Sequence, residues 1–217
     1  MAELILIKRG AEAELYRGEW LGFDVIYKRR VPKTYRNKEM DRLIRSSRTS
    51  LEAKLLSESR RLGVPTPIVF MVDTERTEIV MSHIDGAPLK RLIGGLDPEA
   101  LRATFQEVGM LVGRLHKGGI VHGDLTTSNM ILKDGRIFLI DFGLGDHDSS
   151  LEARGVDVHL MRRTLESSHH RVAKDAYASF IRGYSEAFGR GAKEVIERVG
   201  EIRRRGRYVE GKRCAVE

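Results

Sequence analysis

One cysteine, Cys214, stands in the 217 residues, so no intrachain disulfide can form. Its expected role is that of an exposed tail residue, and a chain without a disulfide framework suits a reducing cytoplasm. No stretch approaches the roughly 18 consecutive apolar residues of a membrane span, so no membrane is expected as a partner. Residues 1–8 carry too short an apolar segment for a secretory signal. G-x-x-x-x-G-K-[ST] does not occur, which excludes a P-loop, and no G-x-G-x-x-G precedes the second expected strand. Zinc-finger and RNA-recognition-motif signatures are also missing, as are internal repeats and low-complexity segments.

Hydrophobic content of 41% and charged content of 32% suit a globular protein with an ordinary core. The length allows one large domain or two small lobes around a cleft. The net charge of +7 is unevenly spread. Residues 28–48 hold nine basic side chains against Glu39 and Asp41, and Arg203, Arg204, Arg205 and Arg207 cluster near the end. A basic run is usually a solvated face. Two of them in one chain point to an anionic partner, with RNA the leading candidate, contacted through phosphate and shape.

The densest chemistry lies in His122-Gly123-Asp124-Leu125-Thr126-Thr127-Ser128-Asn129, followed by Ile140-Asp141-Phe142-Gly143. This is the H-x-D-x-x-x-x-N and D-F-G arrangement of protein kinases. Transfer of a γ-phosphoryl group requires in-line positioning and neutralised charge. Asp141 and Asn129 supply the hard oxygen ligands that Mg²⁺ prefers. Asp124 is then available to accept a proton from the attacking hydroxyl, or to orient a water. Between them lie two short apolar runs, 130–133 and 136–140, joined by Asp134-Gly135, a strong hairpin signal. Such a hairpin brings Asn129 and Asp141 to one end of a two-stranded unit. Two polar turns around an ordinary hairpin would leave the spacing of three chelating residues to chance.

Upstream, residues 4–7, 14–16 and 25–28 read as strands, with 19–22 as the second connection. A basic loop containing Pro32 leads to a helix over 49–62, stopped by Gly63. Strands at 68–72 and 78–81 precede a connector at 82–88. Asp97-Pro98-Glu99 is a cap, a proline at the first helical position and an acid in the first turn, opening a helix that runs to about Lys117. Further helices are expected over 151–167, 172–188 and 191–205. The reading is an α+β, bilobal, protein-kinase-like fold. A small antiparallel sheet with one helix forms the N-lobe (1–83), a reduced and mainly helical C-lobe spans 84–202, and a basic tail covers 203–217.

A kinase needs a cation on the third strand for the α/β-phosphates and a helical Glu to position it. Lys28 ends that strand. Glu52 and Glu58 are the candidate partners, and Glu52 is preferred, on the first turn of the expected helix. The connection 8–13, with Gly10 and Ala11, can cover phosphates through its backbone N–H groups. Met81, just before the connector, and Ile84, within it, fit an adenine pocket. His122 is expected to pack beneath the catalytic loop and Asp157 to hydrogen-bond that loop's backbone. His169-His170 is expected to be a solvated turn and Arg162 and Arg163 surface charge.

The segments 8–13, Lys28-Arg29-Arg30-Val31-Pro32-Lys33-Thr34-Tyr35-Arg36, Arg48-Thr49 with Glu52-Ala53, Gly63-Val64-Pro65-Thr66-Pro67 and the His122-Gly123-Asp124 loop together resemble one family. It is the small atypical kinase subunit of the KEOPS complex, which makes threonylcarbamoyladenosine on tRNA, and the likeness covers nearly the whole chain. The resemblance implies an ATP- and Mg²⁺-dependent atypical serine/threonine kinase and ATPase. It implies the threonylcarbamoyl-transferase subunit, other KEOPS subunits and tRNA as partners, with the basic tail helping to engage tRNA. By position it assigns Lys28 and Glu52 to the phosphate-holding pair, Asp124 to the catalytic carboxylate, and Asn129 and Asp141 to the metal. No Ala-Pro-Glu follows Asp141, so a broad peptide platform is not expected. Two other classes compete with this reading: an RNA- or partner-binding module with a structural nucleotide site, and a small-molecule phosphotransferase of the antibiotic-kinase type.

Overall fold

The structure, a computed structural model, describes residues 4–213, and side chains through Arg205. The chain opens with strands β1 (Ile5–Arg9), β2 (Ala13–Trp20) and β3 (Phe23–Arg30). Leu21 and Gly22, both at positive φ (51° and 81°), make a two-residue hairpin turn whose twist matches that of the strands. Trp20 therefore belongs to β2 instead of the connection, and β2 and β3 pair through eight residues. With β4 (Val69–Asp73) and β5 (Glu78–Ser82) they form an antiparallel sheet of order β1-β2-β3-β5-β4.

Helix α1 (Lys38–Arg61) begins eleven residues before the start expected at Thr49. Asn37 caps it by accepting the N–H groups of Glu39 and Met40, and acidic Glu39 and Asp41 sit at the positive end of its dipole. Asp41 ties back to Arg45 at 2.7 Å, so part of the basic run is neutralised one turn along. Of the apolar residues of this first half, Met40 and Leu43 are 56% and 62% exposed and Ile44 is half-buried, which left no buried apolar stripe for periodicity to find. Farther along, Ala53, Leu55 and Leu56 are buried on the inward face.

The second half is less purely helical than expected. Strand β6 (Ala87–Pro88) arises inside the connector and pairs with β8 (Met130–Lys133), which pairs with β9 (Arg136–Leu139). The β8–β9 turn is Asp134-Gly135 at φ 48° and 72°, as the dipeptide predicts. A second small sheet joins β7 (Ile120–Val121) to β10 (Asp146–His147). Around these lie α2 (Leu89–Leu92), α3 (Pro98–Lys117), α4 (Leu151–Ser168), α5 (Ala173–Phe188) and α6 (Ala192–Arg213). Asp97 caps α3 through Glu99 N–H and Ala100 N–H. Helices α3 and α5 cross so closely that a Cβ on Gly183 would stand 1.9 Å from the Gln106 carbonyl oxygen. Phe105, Val108, Leu111, Phe180 and Tyr184 fill the core at that crossing. Helix α6 passes residue 203 without a break, so the expected start of the tail falls inside a helix. Among the described residues no helix is long and apolar enough to cross a membrane.

Candidate active site

Alternation along β3 puts Ile26, Lys28 and Arg30 on one face of the strand. Lys28 is 6% exposed, and its Nζ donates to Glu52 Oε1 at 2.5 Å and to Asp141 Oδ1 at 2.6 Å. Glu52 is 1% exposed and stands in the middle of α1, not in its first turn, because the helix starts early. Its other oxygen accepts from Arg30 Nη2 at 2.6 Å. Burial alone would pull the Lys28 pKa down, but the Glu52 and Asp141 charges outweigh it and hold it above the ordinary lysine value. The opposite balance applies to Asp141. Burial pushes its carboxyl up, while the Lys28 ammonium and the Gly143 N–H hold it below the usual carboxylate range.

Asp141 adopts a left-handed backbone, φ 64°, uncommon for a residue with a Cβ. The neighbouring Phe142 is fully buried, 4.5 Å between ring centroids from His122, while Asp141 faces Lys28. The catalytic loop is fixed from beneath. Asp157 on α4 accepts the N–H groups of His122 (2.6 Å) and Gly123 (2.9 Å), as the sequence led us to expect. His122 Nε2 lies 3.1 Å from the Ile140 carbonyl, which links the loop to the Asp141 segment. Asn129 Nδ2 donates to the Asp124 carbonyl (3.0 Å) and to Asp124 Oδ2 (2.7 Å). Both partners can only accept, so the amide orientation is dictated, and Asn129 Oδ1 is left as a hard donor for a cation.

Two adjoining cavities meet at Lys8, Leu15, Lys28 and Asp141. The polar one, about 300 Å³, lies between the loop of Gly10, Ala11 and Glu12 and the pair Asp124 and Asp141. The more apolar one, about 320 Å³, is lined by Ile26, Met81, Ile84, Ile131 and Ile140. Gly10, Ala11, Met81 and Ile84 are therefore all at the cleft. Arg30, buried in the polar half, was not singled out from the sequence; its spacing of two from Lys28 on a strand was the available signal. Among the described residues no cluster of three or more His, Cys, Asp or Glu side chains could hold a metal by itself.

Other assignments move. His169 is not a purely solvated turn residue: its Nε2 is 3.1 Å from Thr127 Oγ1 in the catalytic loop. Arg162 stacks over the Tyr177 ring at 5.2 Å and donates to Glu166, which makes it more than loose surface charge. Arg203 and Arg204 lie on α6, and Arg205 there donates to Glu152 at 2.8 Å; none of the three lines the cleft. The Arg207 side chain lies outside the described residues.

A family model described as the RIO domain matches residues 15–174, from β2 into the start of α5. The chain belongs to the RIO-domain family. Within it, the chain is similar to the KEOPS complex subunit Bud32 of Pyrococcus abyssi, 45% identical over 94% of this chain and 96% of that protein. It is also 45% identical to a probable serine/threonine-protein kinase, a BUD32 homolog of Archaeoglobus fulgidus, over 93% of this chain and 95% of that one. A probable bifunctional tRNA threonylcarbamoyladenosine biosynthesis protein of Methanosarcina acetivorans is 50% identical over 93% of the chain. This RIO-domain chain spans only 35% of that longer protein. Among solved structures, the Rio2 kinase–ADP/Mg²⁺–phosphoaspartate complex of Chaetomium thermophilum superposes with a TM-score of 0.62 at 19% identity, covering 92% of this chain and 71% of that one. That likeness fixes the kinase-like α+β fold.

Proposed function

We propose that this RIO-domain chain is an ATP- and Mg²⁺-dependent atypical serine/threonine kinase and ATPase. In this reading it supports threonylcarbamoyladenosine formation on tRNA as a cytoplasmic KEOPS subunit, alongside the threonylcarbamoyl-transferase. The observation that carries the reading is the buried Lys28–Glu52–Asp141 constellation facing the hydrogen-bonded Asp124–Asn129 pair across one cleft. The 45% identity to the KEOPS complex subunit Bud32 over 94% of this chain supports that setting. The intact set of five residues argues against a merely structural nucleotide site.

The residues present fit a nucleotide with its metal. The more apolar cavity suits a purine base, and the polar one, walled by the backbone of Gly10 and Ala11, suits phosphates. Asn129 Oδ1 and the Asp141 carboxylate would hold Mg²⁺, which neutralises charge on the phosphoryl group in transfer. Two protein oxygens leave the other places of an octahedral ion to phosphate and water. Lys28, kept charged by two carboxylates, grips phosphate oxygens. Asp124, its Oδ2 fixed by Asn129, accepts a proton from an acceptor hydroxyl or orients a water through the remaining oxygen. Residues 143–150, between the Asp141 turn and α4, are too few to build a peptide platform, which favours ATP turnover over broad peptide phosphorylation.

The test is ATP hydrolysis by the whole chain, alone and with transferase and tRNA. Asp124→Ala should lower turnover by roughly 10²–10⁴-fold. Unchanged hydrolysis in a clean preparation of that variant overturns the assignment.

A further inference from the structure

The polar half of the cleft holds two cations beyond the one a Lys–Glu pair needs, Lys8 and Arg30, and of these Arg30 is the buried one. Arg30 is 6% exposed and lines that cavity beside Lys28, Asp124 and Asp141. A guanidinium carries five N–H donors in a planar fork. Among the described residues the only hydrogen bond from this one is Nη2 to Glu52. Nη1 stands 3.7 Å from Glu12 Oε2, beyond hydrogen-bond reach, and Nε is buried without a partner. Glu52 and Glu12 offset its charge, but a residue present only to brace Glu52 would have its remaining donors bonded, since a buried N–H left without an acceptor is unfavourable. An anion arriving in the cavity would complete it.

The sheet register says which part of a ligand that anion would be. Ile26 lines the more apolar cavity, Lys28 stands where the two cavities meet, and Arg30 lies opposite Ala13, the first β2 residue after the covering loop. Successive residues of this face are about 6.5–7 Å apart along the strand. A nucleotide with its base beside Ile26 and its inner phosphates at Lys28 therefore carries its last phosphate one step on, to Arg30 and Asp124. We infer that Arg30 forms the subsite for the terminal phosphate and is the residue by which the cleft distinguishes a nucleoside triphosphate from a diphosphate. The inference rests on the nucleotide-cleft reading above. A planar fork can meet two phosphate oxygens at once, which an ammonium cannot.

The experiment is calorimetric titration of the full chain with Mg²⁺ and either a non-hydrolysable ATP analogue or ADP, for wild type, Arg30→Met and Arg30→Lys. Arg30→Met should weaken the triphosphate about 10–100-fold and ADP less than about threefold, with Arg30→Lys between. Equal weakening of both ligands would leave Arg30 as a brace for Glu52 alone, and no weakening would remove it from the site; either result overturns the inference. Thermal unfolding monitors each variant. If the Met variant does not fold, the triphosphate-to-diphosphate ratio in the Lys variant decides by the same criterion. Failure of the wild type to bind either ligand would instead overturn the nucleotide-cleft reading itself.

Discussion

Replacing Asp157 tests how the catalytic loop is held. This carboxylate is 1% exposed and accepts two backbone N–H groups, His122 at 2.6 Å and Gly123 at 2.9 Å, while His116 Nε2 stands 3.4 Å away. A buried N–H stripped of its acceptor costs about 1–3 kcal/mol. Asp157→Ala strips two and should destabilise the chain by about 2–6 kcal/mol, a large part of the 5–15 kcal/mol typical of a folded domain. Asp157→Asn keeps one acceptor but turns an NH₂ toward the other N–H, so it should cost about half as much, roughly 1–3 kcal/mol. Urea unfolding measures the ladder, wild type above Asn above Ala. The same loop carries Asp124, whereas the apolar side chains of the base cavity, Ile26, Met81, Ile84, Ile131 and Ile140, lie outside it. Hydrolysis by the Asn variant should therefore lose kcat by about tenfold or more with KM little changed. An Asn variant within about 0.5 kcal/mol of wild type, with kcat intact, would refute the view that this carboxylate positions the loop.

Other consequences follow from the same geometry. Asp141 and Asp157 both have pKa values held below the usual carboxylate range, so the stability they contribute is present above about pH 4 and drains away as pH falls through their folded values. Lys28, held above the lysine value, contributes below about pH 10.5 and loses that contribution as pH rises through its folded value. Burial lowers the pKa values of His159 and His169, so urea midpoints should be flat only between about pH 7 and 9, begin to fall below about pH 6.5 and fall further below about pH 4, where Asp157→Asn should flatten the acid limb; an unaltered limb in that variant would contradict the assignment. Gly183→Ala, with its Cβ 1.9 Å from a backbone oxygen, should cost about 1–3 kcal/mol or more. Gly200→Ala, on α6 with nothing within 4 Å, should instead stabilise by about 0.5–1 kcal/mol, and equal midpoints for the two variants would refute the packing argument. Arg204, exposed on α6, is the described tail cation to reverse. Arg204→Glu should weaken tRNA binding and reduce the salt slope by about one, whereas an unchanged slope removes that residue from the RNA surface.

What the sequence made legible was local. Asp124, Asn129 and Asp141 are set by short spacings around an Asp-Gly hairpin, and the α3 start by Pro98 at the first helical position and by Asp97, whose side chain accepts the Glu99 and Ala100 N–H groups. The start of α1 was hidden because its first half buries no apolar side chain fully and is held by a cap and by Asp41 ion pairs. That error moved Glu52 from a first turn to mid-helix without changing its partner. Arg30 was hidden for a related reason. With β3 ending at Lys28, the second cation lies in a loop; with β3 running to Arg30, strand alternation delivers it to the same face. Strands β6, β7 and β10 have two residues each, too few for any period, and exist through their tertiary partners.

The early start of α1 also bears on how the site is kept assembled. Arg48, Glu52, Leu55, Glu58 and Leu62 recur at three- and four-residue intervals, one continuous helical stripe running past the end of α1. Arg48 donates to the Gly143 carbonyl at 3.1 Å, Glu52 holds the Lys28 that binds Asp141, Leu55 packs on Gly145, and Glu58 pairs with His147. Leu62 closes the row against Gly118 at the end of α3. The few residues after Asp141 thus lie along α1 instead of forming a separate platform. Swinging this helix away would break a buried ion pair and several contacts together. The geometry therefore favours a cleft assembled in advance, in which turnover is governed by what reaches Asp124 and not by rebuilding the Lys28–Glu52 pair.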